Sequence, residues 1–180
     1  NWKTWEVVAY IVKPATETRE RCRLGDVPEV KCFTGPADVF VSHCWGALWG
    51  DLIAAASSGA DDKRLCWIDI VSVRQWPGNI SDLDFRAIIA RCKACLVTAA
   101  PTLGAITEKL MDYTEHEAYI ASEEYEEAKK TLPFCRLWCI VEIHAAVVAK
   151  THLIFRCCAA AVDGNILTVC FDGARNMLMN

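Results

Sequence analysis

Residues 38–42 read DVFVS, a short run of β-forming residues. Residues 47–57 follow with apolar side chains at helical spacing and end at the sequence SSG, which is a helix-stop signal. The run LCWIDIV at residues 65–71 is almost continuously apolar, as expected of a parallel strand that is covered on both faces. A strand, a helix and a second buried strand in this order predict a βαβ unit and hence a parallel sheet.

The same alternation continues towards the C terminus. The further predicted elements are a helix over 82–92 capped by Ser81 or Asp82, and strands over 94–99, 151–157 and 166–171. The sequence therefore predicts an α/β fold with a parallel β-sheet of four to five strands and helices on both faces. Ligands of such sheets bind beyond the carboxyl ends of the strands.

Two segments lie outside the alternating pattern. Residues 1–36 are interpreted as an N-terminal extension packed on a domain that comprises 37–180, and its first helix or strand is expected to end at Pro14. Residues 102–132 are interpreted as a helical insertion. It is strongly acidic, because eight aspartates and glutamates lie within 108–130.

The composition limits the partners that we expect. A net charge of -4 argues against nonspecific nucleic-acid binding, which needs a basic surface. No signal peptide is visible, and no uninterrupted run of about 18 apolar residues predicts a membrane span. The 11 cysteines are odd in number and irregularly spaced, which favours reduced thiols in a cytoplasmic protein. Cys92 and Cys95 have metal-ligand spacing but no second pair at zinc-ribbon distance, so we expect no metal.

Residues 134–144, FCRLWCIVEIH, set one carboxylate in an otherwise apolar helix that is expected to be buried. An ionised carboxylate in such surroundings is costly unless it is paired or functional. Glu142 lies one turn after Trp138 and three residues after Cys139, so the three share a face. An acid beside an aromatic ring suits a small-molecule site. The alternative is a core helix whose glutamate meets an arginine.

Further candidates for ligand binding lie at the predicted strand ends, in the loops and on the same helix. They are Ser42, His43, Trp45, Asp69, Trp76 and Trp138. The hydroxyl and carboxylate groups are suited to sugar hydroxyls, and the indole rings to stacking on a base. Each has a structural alternative: a helix cap for the serine, a loop hydrogen bond for the aspartate, and core packing for the tryptophans. His43 has no nucleophile arranged around it, so we do not expect a Cys–His catalytic pair.

Taken together, these segments resemble a TIR (Toll/interleukin-1 receptor) domain over roughly residues 36–160. The matching features are DVFVS at 38–42, the pair Ile68-Asp69 before a loop with Gly78, the pattern Trp-Cys-x-x-Glu from Trp138 to Glu142, and the strand 151–157 after that helix. This resemblance implies a flavodoxin-like sheet.

The resemblance also implies an activity, because many TIR domains hydrolyse NAD+. By position, Glu142 would be the catalytic residue and Trp138 would shape the nicotinamide-ribose pocket. The implied protein is an NAD+ nucleosidase that releases nicotinamide and ADP-ribose, or cyclic ADP-ribose, in cytoplasmic immune or cell-death signalling. NAD+ would be the substrate rather than a cofactor, and homo-oligomers would form through TIR–TIR contacts.

Two departures from the TIR pattern stand beside this resemblance. NAD+-cleaving members often carry an arginine or another polar pair after the first strand, where this chain has His43-Cys44-Trp45-Gly46. The insertion at 102–132 is also longer than usual. Two other functions stay open: a non-catalytic module that self-associates through the loop at 72–80, and a nucleoside deoxyribosyltransferase-like enzyme, which also uses a glutamate on an α/β scaffold.

Overall fold

The computed structural model describes residues 2–100, 103–112, 114–163 and 166–170. It contains a four-stranded, all-parallel sheet in the order β2-β1-β3-β4. The strands are β1 (Val39–Ser42), β2 (Cys66–Trp67), β3 (Ala94–Ala99) and β4 (His152–Cys157). The predicted α/β class and its parallel sheet are therefore confirmed.

Ten α-helical segments surround the strands in the part of the chain that the structure describes. They are α1 (Thr4–Val7), α2 (Lys13–Glu17), α3 (Pro28–Lys31), α4 (Trp49–Ser57), α5 (Asp69–Ser72), α6 (Phe85–Arg91), α7 (Leu103–Met111), α8 (His116–Ile120), α9 (Glu123–Lys129) and α10 (Leu137–Ala149). In these residues no helix has both the length and the apolar character that a membrane span needs.

Side chains of the central strands alternate between two cores, because successive residues of a strand point to opposite faces. Val41 and Leu96 pack on one face with α4 and with residues 4–17, the N-terminal helical segment. Phe40 and Val97 pack with α6 and α10 on the other. Both faces of the sheet are thus covered, which is why its strands read as continuous apolar runs.

The second predicted strand is much shorter than its apolar run suggests. Only Cys66–Trp67 pairs with β1, and the chain turns into α5 at Asp69. Ile70, which is 1% exposed, is buried from this helical turn rather than from a strand. A short apolar run does not distinguish a buried strand from a buried helix, so the prediction of a strand over 65–71 was wrong after Trp67.

Pro14 does not end the first helix, contrary to our prediction. The residues before it, Val8–Val12, form a π-helical turn in which the Lys13 N–H donates to the carbonyl of Val8. Helix α2 then continues through Pro14 to Glu17. A wider turn at this point leaves room for a residue that has no N–H to donate.

The cap of one helix and the pairing of one strand also differ from the prediction. Helix α6 is capped by Asp84, whose Oδ1 accepts from the backbone N–H of Ala87 at 3.2 Å, and not by Ser81 or Asp82. The predicted fifth strand is β6 (Ile166–Cys170), but it pairs antiparallel with β5 (Ala159–Asp163) in a separate two-stranded sheet. The main sheet therefore has four strands in the described residues. The predicted end of β6, residue 171, lies outside them.

Asp82 instead joins the N-terminal segment to the loop after α5. Its buried carboxylate accepts from Arg23 Nη2 at 2.5 Å, and from the backbone N–H and Nε of Arg74 at 3.1 and 2.8 Å. Burial alone would raise the pKa of Asp82, but these hydrogen bonds outweigh it and hold the pKa well below the ordinary range.

Replacing Asp82 by alanine is expected to lower the free energy of unfolding by about 2 kcal/mol, because its hydrogen bonds to two arginines are lost while water still solvates the half-exposed guanidinium groups. Urea denaturation of the wild type and of Asp82→Ala measures the difference. Asp62→Ala is the matched control, since Asp62 is exposed. A loss no larger than that of the control would show that Asp82 does not hold the N-terminal segment in place.

Helix α10 is buried along one stripe only, and not on all sides as predicted. Its inward residues are Cys139, Glu142, Ala145 and Ala146. Its outward apolar residues are Leu137, Ile140, Val147 and Val148, which are 47 to 73% exposed. The sheet and α6 cover one side of this helix, so the opposite side faces solvent.

Candidate functional site

A cleft of about 340 Å³ lies at the carboxyl ends of β1 and β2, beside the first turns of α10. The chain leaves β1 in one direction towards β2, and β3 lies on the other side of β1, so the strand order reverses between β1 and β3, next to this cleft. Among the residues that supply polar or aromatic groups to the cleft are His43, Trp45, Asp69, Arg136, Trp138 and Glu142.

Glu142 is the buried acid of this cleft. It is only 8% exposed, and its Oε2 accepts a 2.6 Å hydrogen bond from Ser42 Oγ, at the end of β1. No ion pair among the described residues involves Glu142. Burial raises the pKa of Glu142 to about 8, although the bond from Ser42 opposes the shift. The glutamate thus lines a cleft and is not sealed against an arginine.

The first turn of α10 is tied to β1 by a second contact. Cys139 Sγ donates to the backbone carbonyl of His43 at 3.4 Å, and both residues are buried. Ser42 and His43 therefore hold the helix at two successive turns. This arrangement fixes the position of the Glu142 carboxyl group relative to the strand end.

Arg136 was not among the site residues predicted from the sequence. It is the residue that precedes α10, and it lines the cleft. In the part of the chain that the structure describes, its guanidinium makes no ion pair within 4 Å. An unpaired arginine at the start of a 13-residue helix is suited to an anionic group. Its place immediately before a long apolar helix was the sequence signal for this role.

The opposite wall of the cleft is built by His43, Trp45 and Asp69. Trp45 Nε1 donates to Asp69 Oδ2 at 2.8 Å, and His43 Nε2 lies 3.4 Å from Asp69 Oδ1. Gln75 Nε2 donates to the backbone carbonyls of Asp69 and Val73 at 3.1 and 3.0 Å. These bonds hold the loop after β2 against the end of β1.

Trp138 forms an aromatic edge at the mouth of the cleft. It is 58% exposed and meets Phe85 edge to face, with ring centroids 5.9 Å apart. Leu83 and Phe85 line the same side. A planar ligand that enters the cleft therefore meets apolar and aromatic surface before it reaches the buried acid.

Trp76 is not among the residues that line the cleft. Its Nε1 donates to Thr16 Oγ1 at 3.0 Å, and Arg21 lies over its ring at 4.8 Å from the centroid. The structure thus brings together all the other sequence-predicted site residues around Glu142. Trp76 ties the loop at 72–80 to the N-terminal segment.

Cysteine side chains are not gathered into a metal site in the described residues, where no group of three or more His, Cys, Asp or Glu side chains is placed to hold an ion. Cys92 and Cys95 are both buried in the core between the sheet and α6. Cys92 Sγ donates to the backbone carbonyl of Ala37 at 3.7 Å.

Comparisons with known proteins leave the site to be interpreted from its own geometry. No protein-family model matches the chain, and no match was found among curated proteins or among solved structures.

Proposed function

We propose that this protein is an NAD+ nucleosidase with a TIR-like, flavodoxin-like domain. The order of the sequence motifs supports this proposal, and so does the strand order β2-β1-β3-β4, which matches the first four strands of the flavodoxin-like order. On the resemblance alone, we place the activity in cytoplasmic immune or cell-death signalling.

One observation carries the proposal: the glutamate of the Trp-Cys-x-x-Glu pattern is buried at the inner end of an open cleft and is bonded to a serine. A structural glutamate would be expected in an ion pair, since an unpaired buried acid is costly. Glu142 has no such pair among the described residues, and its carboxyl group lines the cleft. A buried acid with a raised pKa that lies in a cleft is a typical candidate for a group that acts on a bound substrate.

The reaction requires one carboxylate, that of Glu142, to stabilise the positive charge that develops on the ribose. Cleavage of the bond between ribose C1′ and the nicotinamide nitrogen moves the electron pair to that nitrogen, so nicotinamide leaves as a neutral molecule. Positive charge develops on the ribose and is stabilised by the ionised Glu142. Water then adds to C1′ and loses a proton, which gives ADP-ribose.

The remaining groups of the cleft suit the rest of the substrate. The volume of the cleft, about 340 Å³, is enough for the nicotinamide and ribose rings but not for the whole dinucleotide. Trp138 and Phe85 offer aromatic surface to the rings. Arg136 is suited to the pyrophosphate, which would extend towards the solvent.

Incubation of the purified protein with NAD+ tests the proposal. We expect release of nicotinamide together with ADP-ribose or its cyclic form. Liquid chromatography measures these products over hours at high protein concentration. The reaction without protein is the control. No release above this control, across protein concentrations that allow assembly, would overturn the proposal.

The exposed face of α10 favours a second function, self-association. We call the residues Leu137, Ile140, Val147 and Val148 the outer face of α10, and Phe134 and Phe155 lie exposed as well. A cluster of exposed apolar side chains commonly marks a protein–protein contact. A second copy of the chain is the partner expected from the TIR resemblance. The loop at 72–80 also offers the exposed Ile80, but its Trp76 is already engaged with Thr16.

Val148→Asp is expected to abolish self-association, because a charge would have to be buried in the contact. Light scattering over a range of protein concentrations measures the molar mass. Met111→Asp is the matched control, since Met111 is 70% exposed on the separate helix α7. A wild-type protein that stays monomeric, or a Val148→Asp variant that assembles like the control, would rule out this contact.

A further inference from the structure

A second cavity, of about 420 Å³, lies next to the cleft. Trp45 and Arg136 line both spaces, so the two are neighbours on the surface of the protein. The other residues of the second cavity come from the N-terminal segment, the loop after β1 and the end of the insertion. They are Lys3, Trp5, Gly46, Glu127, Lys130 and Thr131. A volume of this size is typical of small-molecule sites.

Close backbone contacts hold the three segments around the second cavity. The backbone N–H of Trp5 donates to the carbonyl of Trp45 at 3.1 Å, which fixes the N-terminal segment against the loop after β1. Gly46 lies against the end of the insertion, because a Cβ atom at this position would come within 2.8 Å of the carbonyl oxygen of Lys130. The N-terminal extension and the insertion therefore meet at the loop that leaves β1, beside the candidate site.

The charges of the second cavity favour an anionic ligand. Lys3, Lys130 and Arg136 supply three positive charges, against the single carboxylate of Glu127, which pairs with Lys130. In the residues that the structure describes, no carboxylate oxygen lies within 4 Å of the Lys3 ammonium or the Arg136 guanidinium. Two cations are thus free to bind a ligand, and phosphate groups are the ligands that arginine and lysine commonly bind.

Trp5 adds an aromatic surface to these cations. Its side chain is 45% exposed and lines the second cavity, so the indole ring is accessible to a planar ligand. Bases of nucleotides stack on such rings. Cations for phosphate groups and a ring for a base together are the chemistry that recognises a nucleoside diphosphate.

Resting on the proposed function, we propose that the second cavity binds the adenosine diphosphate half of NAD+. Arg136, which lines both spaces, holds the diphosphate together with Lys3, and the adenine stacks on Trp5. The nicotinamide and its ribose occupy the first cleft, which is too small for the whole dinucleotide. The N-terminal extension and the insertion thus contribute to the affinity for the substrate, whereas Glu142 acts on the bond that is cleaved.

Titration calorimetry with ADP tests the second cavity without any need for turnover. Lys3→Glu is expected to weaken ADP binding by about tenfold or more, because repulsion replaces a charge-assisted hydrogen bond. Trp5→Ala is expected to weaken it by about tenfold through the loss of stacking. Lys31→Glu and Trp2→Ala are the matched controls, since both positions are exposed and neither lines the cavity, and they should keep the wild-type affinity.

Two results would overturn the inference. One is the absence of ADP binding to the wild type at millimolar concentration, and the other is ADP binding by Lys3→Glu and Trp5→Ala that equals that of their controls. If either variant does not fold, Lys130→Gln replaces it, because it removes one positive charge and leaves the backbone contact with Gly46 in place. This variant should also bind ADP more weakly, and an unchanged affinity would count against the inference in the same way.

Competition distinguishes the ADP half of NAD+ from a free nucleotide. NAD+ binding is measured by calorimetry with Glu142→Gln, in which cleavage is slow, in the presence and absence of saturating ADP. If the second cavity holds one half of NAD+, ADP should weaken NAD+ binding by about tenfold or more, since the two ligands need the same space. ADP and NAD+ that bind independently would overturn the inference and would make the cavity a site for a separate nucleotide.

Kinetics separate this inference from the proposed function. If Lys3→Glu and Trp5→Ala cleave NAD+ with the wild-type kcat and KM, the ADP site is refuted while the nucleosidase stands. If ADP and NAD+ compete and both depend on Lys3 and Trp5, but NAD+ is not cleaved by the wild type, the ADP site stands and the catalytic role of Glu142 fails.

Discussion

Glu142→Gln is expected to slow nicotinamide release by about a thousandfold, because the variant cannot place a negative charge beside the developing ribose cation. Glutamine has the same size, and its side-chain oxygen still accepts from Ser42 Oγ, so the fold is expected to persist. The loss should therefore appear in kcat, with a smaller change in KM. Initial rates of nicotinamide formation over a range of NAD+ concentrations measure both constants.

The matched control for this prediction is Glu123→Gln, which removes an exposed acid in the first turn of α9 and should keep the wild-type rate. Circular dichroism and the unfolding midpoint of Glu142→Gln report whether its fold is intact. A folded Glu142→Gln variant that releases nicotinamide at the wild-type rate would remove Glu142 from the mechanism.

The contribution of Glu142 to the free energy of unfolding should fall as the pH rises from about 4.5 to about 8. Glu142 titrates near its ordinary value of 4.5 in the unfolded chain and near 8 in the folded protein. Between these two values the folded protein keeps a proton that the unfolded chain has released, so raising the pH favours unfolding. One pKa unit corresponds to about 1.4 kcal/mol, and the full shift to about 4 to 5 kcal/mol.

Comparison with Glu142→Gln isolates this effect from all other titrations. The free energy of unfolding of each protein is measured in urea at pH 5, 6, 7 and 8, and the difference between them is plotted against pH. We expect the wild type to lose about 1 kcal/mol relative to the variant for each unit. Hydrogen bonds with Cys44 and Ser42 lower the pKa of Cys139 to about 7, so this thiol titrates within the same range in both proteins. A difference that does not change with pH would show that Glu142 is ionised in the folded state.

The ionisation of Glu142 should also determine how the activity depends on pH. Only the carboxylate stabilises a ribose cation, so kcat/KM is expected to rise about tenfold for each pH unit below the pKa of Glu142 and to level off near pH 8. Stability and activity thus change in opposite directions over the same range. An activity that is already constant from pH 5 would contradict the protonated resting state.

Most of the sheet was predictable because its strands are short, apolar and bounded by clear breaks. Residues 94–99 and 151–157 were predicted within a residue of the observed β3 and β4. The end of β2 was not, since an apolar run carries no periodicity that separates a strand from a buried helical turn. The separate pair β5 and β6 depends on an antiparallel partner that no local pattern specifies.

The candidate site was predictable where topology decides it. Ser42, His43 and Asp69 lie at strand ends, and a parallel sheet brings such ends to one edge. Trp76 was not predictable, because its position depends on a hydrogen bond to Thr16, 60 residues away in the sequence. The exposure of α10 was missed for a related reason: composition shows that a helix is apolar but not how many of its sides have neighbours.

The proton that Glu142 retains near neutral pH has a consequence for selectivity. Near neutral pH the inner end of the cleft is mostly uncharged, so sodium and potassium ions find little there to attract them. A ligand whose positive charge lies on a flat organic ring fits the cleft, and its charge favours loss of the proton from Glu142. The acid would then become an anion only in the presence of the molecule on which it acts.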